Sequence, residues 1–227
     1  MQPRTLAILI TVLPLLASNG AFLLSAYEGL ISWCMPYIDG CTTISNAGRS
    51  GDTIFYYRAL VFPYSVLLLL FWVYSRKWLD LLHGHSKQAT QIILWLGVLG
   101  SIGLLIYINF LGATGDIYSL MRRIGAALYF VLIPLAQSML LYQHYKVLHK
   151  SPDSLIKPKV LQYQLVIVLL MLAIAVASVF FVVTGKNTSA IENIVEWNFS
   201  LLVNLYSAGM ILIWKNYRQV FNKQYDV

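Results

Sequence analysis

Six stretches of this chain carry no charged side chain: 23 residues from Thr5 to Tyr27, 17 from Ala59 to Ser75, 28 from Gln88 to Gly115, 22 from Ile124 to Tyr145, 26 from Val160 to Gly185 and 18 from Trp197 to Trp214. A helix needs about 20 residues to cross the hydrocarbon core, so each is long enough once tilt and snorkelling are allowed for at the two shortest. Only 11% of the 227 residues are charged, against about 25% in soluble domains, and the charges fall in short islands that cannot coat a water-soluble core. The expected fold class is all-α: one polytopic membrane domain over residues 1–227, a helical bundle of six transmembrane helices. Its spans fall at about 6–27, 56–75, 90–112, 123–145, 160–184 and 196–214. The first stretch is longer than the apolar region of a secretory signal and shows no convincing small-x-small cleavage site near Ser25, so it reads as a retained span.

Cations set the expected orientation, because short loops rich in Lys and Arg stay in the cytoplasm. The N-terminus, the segments 76–87 and 146–159 and the tail from Lys215 hold 11 Lys and Arg against 3 acids, while the opposite segments hold 5 against 6. Six alternating spans are consistent with that split and place both termini on the cytoplasmic side. The net charge of +7 then follows from topology and attraction to anionic headgroups, and nothing points to nucleic acid.

Loops are short except 28–55, the first outer one, which is expected to form a shaped, irregular lid over the outer mouth. Its Pro36 and Gly40 let the chain turn back between Cys34 and Cys41, the two cysteines of the sequence, and a disulfide is expected there; the alternative is a free thiol buried at the end of span 1. Pro14, Pro63 and Pro134 lie inside spans 1, 2 and 4 and are read as static kinks. Gly97, Gly100 and Gly103 in span 3, and Ala173, Ala175, Ala177 and Ser178 in span 5, read as close-packing faces.

Polar residues within spans must find partners or a wet cavity, which makes them the most informative. Thr11, Ser18 and Ser25 recur at intervals of seven and lead to Glu28. Glu192, Glu196, Ser200, Asn204 and Ser207 recur at intervals of three and four in span 6. Arg58, Arg122 and Arg123 fall at the same depth, with Asp52 and Asp116 near in sequence. The expectation is an outward-facing cluster in which Glu192 and Glu196 pair with some of these arginines, serving either as an interfacial staple or as a ligand site. His83, His85, His144 and His149 all fall on the cytoplasmic side. A histidine-based catalytic pair at the outer cluster is thereby excluded, headgroup contact is the expected role of these histidines, and no metal or cofactor site is expected.

Three segments resemble a known family. Ile44-Ser45-Asn46-Ala47-Gly48 with Asp52 and Phe55, Arg122-Arg123-Ile124-Gly125-Ala126 with Phe130 and Gln137, and Glu196-Trp197 resemble signature segments of the Frag/DRAM/Sfk family of six-span membrane proteins. Thr42-Thr43 stand where the family has a proline ahead of its Ile-Ser pair, Asn46 where it has an acid and Arg122 where it has a histidine. The resemblance implies the six-span fold and a lipid-linked function, since members are tied to GPI-anchor remodelling, phospholipid organisation and autophagy control.

Two functions are expected to compete. The first is binding or organisation of membrane lipid, with an anionic headgroup held by Arg58, Arg122 and Arg123 and oriented by Glu196, Asn46 and Ser45. The second is a lipid-modifying enzyme in which Glu196 or Asp52 acts as acid or base and Ser45 as an alcohol. No nucleophile stands with its base, which ranks the enzyme lower. A small-solute carrier ranks lower still, because no internal repeat is visible. Asn187-Thr188-Ser189 and Asn198-Phe199-Ser200 match the glycosylation pattern on the outer side.

Overall fold

The computed structural model describes residues 1–82, 86–150 and 156–217. Among them are eight α-helices and no strand: α1 (Pro3–Tyr27), α2 (Pro36–Asp39), α3 (Ile44–Arg49), α4 (Thr53–Asp80), α5 (Lys87–Phe110), α6 (Asp116–Lys150), α7 (Pro158–Val183) and α8 (Ser189–Ile213). Five of them, α1, α4, α5, α6 and α7, are long and apolar enough to cross a membrane. These features make the chain an all-α integral membrane protein. The helices overrun the apolar windows; α4 continues to Asp80 and α6 covers Asp116–Lys150, because hydropathy marks the hydrocarbon and not the end of the hydrogen-bond ladder.

The long helices close a ring in chain order, α1 on α4, α4 on α5, α5 on α6, α6 on α7, α7 on α8 and α8 back on α1. The tightest joint is α5 on α6, where glycine lets backbone meet backbone. A Cβ at Gly125 would lie 2.6 Å from the Gly103 carbonyl oxygen and 2.6 Å from the Tyr107 nitrogen. Gly97 leaves room for the Trp72 ring of α4 and Gly100 for the Ile133 side chain of α6, so the glycine row of span 3 is a packing face. The alanines of span 5 are not one. Ala173, Ala175 and Ala177 are exposed, and the buried residues of α7 end at Met171, beyond which Ile174 is still packed against the core.

Segment 28–55, the expected lid, is partly helical and packs on α1 and α8. Pro36 starts α2 and Gly40 ends it in the left-handed region, at φ 60°. A Cβ at Gly40 would also stand 2.1 Å from the Ala190 carbonyl oxygen, so glycine is required twice over. Cys34 and Cys41 are bonded across α2, with Cα atoms 6.6 Å apart. Thr43 caps α3 by accepting from the Asn46 N–H at 2.8 Å.

The lid is pinned from both sides. From α8, Asn193 donates to the Gly40 carbonyl (2.7 Å), the Trp197 indole to the Thr42 carbonyl (2.8 Å) and Asn198 to the Tyr37 carbonyl (2.8 Å). From α1, Ser25 donates to the Ala47 carbonyl at 2.8 Å, and Asn19 accepts from the Tyr37 hydroxyl at 3.0 Å. Of the polar stripes of spans 1 and 6, Ser25 anchors the lid, whereas Thr11, Ser18, Asn204 and Ser207 donate to the carbonyls four residues back in their own helices. Asn198 spends its amide inside the bundle and is not presented for glycosylation.

Candidate functional site

Beneath the lid the ring encloses a cavity of about 490 Å³, within the range of small-molecule sites. Arg49 of α3 and Arg122 and Arg123 of α6 stand around it with Ser45, Ser119 and Glu196. Tyr57 and Tyr64 of α4, Tyr107 of α5 and Tyr129 and Phe130 of α6 form its walls, together with Pro14, Ser18 and Ser200. Tyr64 lies eleven residues into α4, about 16 Å below the lid end at 1.5 Å per residue. The cavity therefore reaches well into the bundle.

The arginines are not held by Glu196. Among the described residues neither Glu196 nor Glu192 forms an ion pair with Arg58, Arg122 or Arg123, which corrects the pairing expected above. Arg58 donates instead to the carbonyls of Asn109 (3.3 Å) and Leu111, and Arg122 to those of Phe110 (3.2 Å) and Ala113 (2.6 Å). Both cap the last turn of α5, whose orphan carbonyls and negative dipole end attract cations. Glu196 is turned to the backbone N–H groups of Ile44 and Ser45 at the start of α3. Backbone N–H groups at a helix start compete with arginines for a nearby carboxylate. Arg49 and Arg123 have only weak partners, Asn46 at 3.5 Å and Ser119 at 3.4 Å, and both are exposed.

Of the residues singled out in the sequence, the cavity brings together Ser45, Arg122, Arg123 and Glu196. Asn46, Asp52, Arg58, Glu192 and Trp197 do not line it. Asp52 is exposed at the start of α4. Glu192 accepts from the Asn187 amide. Trp197 is fully buried, edge-on to Phe22 and Tyr37. On the far side of the bundle His144 is fully buried and not at a surface that meets headgroups, while His149 is exposed; His83 and His85 lie outside the described residues.

The tyrosines are the part of the site that the sequence reading did not find. Tyr64 and Tyr129 hydroxyls pair at 3.0 Å. Nearer the lid Tyr57, Tyr107 and Ser45 line the same cavity. One signal was available: Tyr57 and Tyr64 are seven apart in a span, on one helical stripe.

The seam between α6 and α8 is the thin part of the wall. Midway along, the Gln137 amide donates to the Val203 carbonyl (3.0 Å) and the Tyr206 hydroxyl to the Gln137 carbonyl (2.7 Å). Elsewhere α6 and α8 meet at few points. One of them is the edge contact of the Phe130 and Phe199 rings, 6.1 Å apart between centroids, on the lid side of that pair.

No family model, curated protein or solved structure matches the chain.

Proposed function

We propose that the chain is a six-span membrane protein with both termini cytoplasmic that binds or organises lipid, holding an anionic headgroup in the lidded cavity on the periplasmic, lumenal or extracellular side. The observation that carries this reading is a cavity sunk into an apolar bundle with three guanidiniums around it and one carboxylate, Glu196, that forms an ion pair with none of them among the described residues. Such a site suits a phosphate better than a cation or a neutral solute. The thin α6–α8 seam supports a lipid over a soluble ligand, because it gives acyl chains a way back to the bilayer.

Acid–base catalysis is less well supported: Asp52 stands outside the cavity, and Glu196, which lines it, faces the α3 backbone. As for the sixth span, α8 is 25 residues long, about 37 Å. It buries one face from Asn193 to Ile213, and that extent supports a full crossing. A cysteine at Asp116 should react with a reagent that cannot cross the bilayer when it is added outside, and one at Lys150 should not; reaction of both would refute the orientation.

Arg49→Ala with Arg123→Ala is the variant that tests the site, because these two side chains have the least structural work. Each cation near a phosphate contributes about 1 kcal/mol, so the pair should lower retention of an anionic lipid by roughly tenfold or more. Thermal stability should stay within about 0.5 kcal/mol of the parent. Unchanged retention would refute the site. Arg122→Ala is a poorer probe, since it also uncaps α5.

A further inference from the structure

Phenylalanine would fill the space of each wall tyrosine without placing a hydroxyl at membrane depth, where a polar group needs a partner. Four tyrosines nevertheless line this one cavity. Tyr57 lies about 6 Å below the lid end of α4 and Tyr64 about 16 Å. The Tyr64–Tyr129 pair satisfies one of its two protons internally, and the other proton and several lone pairs remain. An acyl chain in the cavity would meet none of them, and a bare phosphate would be spent at the arginines. A head with hydroxyl groups beyond its phosphate matches both levels.

Resting on the lipid-binding reading, we propose that Tyr57, Tyr107, Tyr64 and Tyr129 form a subsite for hydroxyl groups, so that the preferred ligand is an anionic phosphodiester lipid with a polyol head, bound head first. The phosphate lies among Arg49, Arg122 and Arg123, the head alcohol reaches down towards Tyr64 and Tyr129, and the acyl chains leave sideways past Phe130 and Phe199. Tyr129 and Phe130 follow Arg123 by about two turns of α6, which puts hydroxyl donors and exit on the same side of the cations.

The test is a competition between phosphatidylglycerol and phosphatidylethanol, which share charge and acyl chains and differ in the hydroxyls of the head. The full-length protein in detergent is given both at equal concentration, and the retained lipids are counted by native mass spectrometry. The parent should favour phosphatidylglycerol by about fivefold or more, the worth of one hydrogen bond. Tyr64→Phe with Tyr129→Phe should bring the ratio near one while leaving phosphatidylethanol retention unchanged. A parent without preference, a preference that survives the double variant, or an equal loss of both lipids, the mark of a purely structural pair, would overturn the subsite. Retention of neither lipid would overturn the lipid-binding reading and the subsite with it. Soluble glycerol 3-phosphate should not displace the lipid; equal competition would uphold the hydroxyl subsite and reassign its ligand to a soluble polyol phosphate.

Discussion

Trp197→Ala should destabilise the protein by about 3 to 5 kcal/mol, measured by thermal unfolding in detergent, and release the lid. The side chain is 1% exposed and is the keystone of the lid contact. Its ring meets Phe22 at 6.1 Å and Tyr37 at 5.2 Å between centroids, which ties α8 to α1 and α2 at once. The indole N–H also satisfies the Thr42 carbonyl just ahead of α3. Alanine leaves both a cavity and an unpaired carbonyl. Trp197→Phe keeps most of the packing and loses the hydrogen bond, so it should cost about 1 to 3 kcal/mol. Because α3 carries Ser45 and Arg49 to the cavity, lipid retention should fall in the same order. A Trp197→Ala protein that unfolds with the parent would show that the lid is held elsewhere.

Gly125→Leu should be at least as severe, at about 3 kcal/mol or more. The atoms a side chain would strike, the Gly103 carbonyl oxygen and the Tyr107 nitrogen and Cα, belong to the backbone of α5 and cannot turn aside. Relief requires α5 and α6 to separate, and those helices carry Tyr107, Tyr129, Arg122 and Arg123. Gly125→Ala meets the same contacts with less bulk and should fall between parent and leucine. Unfolding of Gly125→Leu at the parent temperature would mean that α5 and α6 are not in backbone contact.

These two positions illustrate what was and was not legible beforehand. The glycine row at 97, 100 and 103 could be read because small residues at helical spacing have few other uses in a span. Cys34 and Cys41 could be read because a turn between near cysteines leaves little choice of geometry. The alanines of span 5 follow the same rule of small residues, yet they face away from the bundle, since smallness permits contact and does not supply a partner. Charge matching misled in another way. Glu196 and the arginines share one end of the bundle, but helix ends compete for the same charges: the carbonyls at the end of α5 take Arg58 and Arg122, and Glu196 faces the N–H groups at the start of α3. Those backbone groups are invisible in a list of side chains. The tyrosines escaped for a simpler reason. In a membrane span tyrosine reads as an interfacial aromatic, and only the three-dimensional ring of helices brings Tyr57, Tyr64, Tyr107 and Tyr129 to one cavity.

The lipid that stays with the parent protein is the most direct test of the central claim. Native mass spectrometry after gentle solubilisation from its own membrane, followed by identification of the retained molecules, should find one anionic phospholipid per chain, enriched over its abundance in the membrane and lost when Arg49 and Arg123 are both alanine. A chain that retains no lipid, or retains lipids in the proportions of the surrounding bilayer with and without those arginines, would contradict the account.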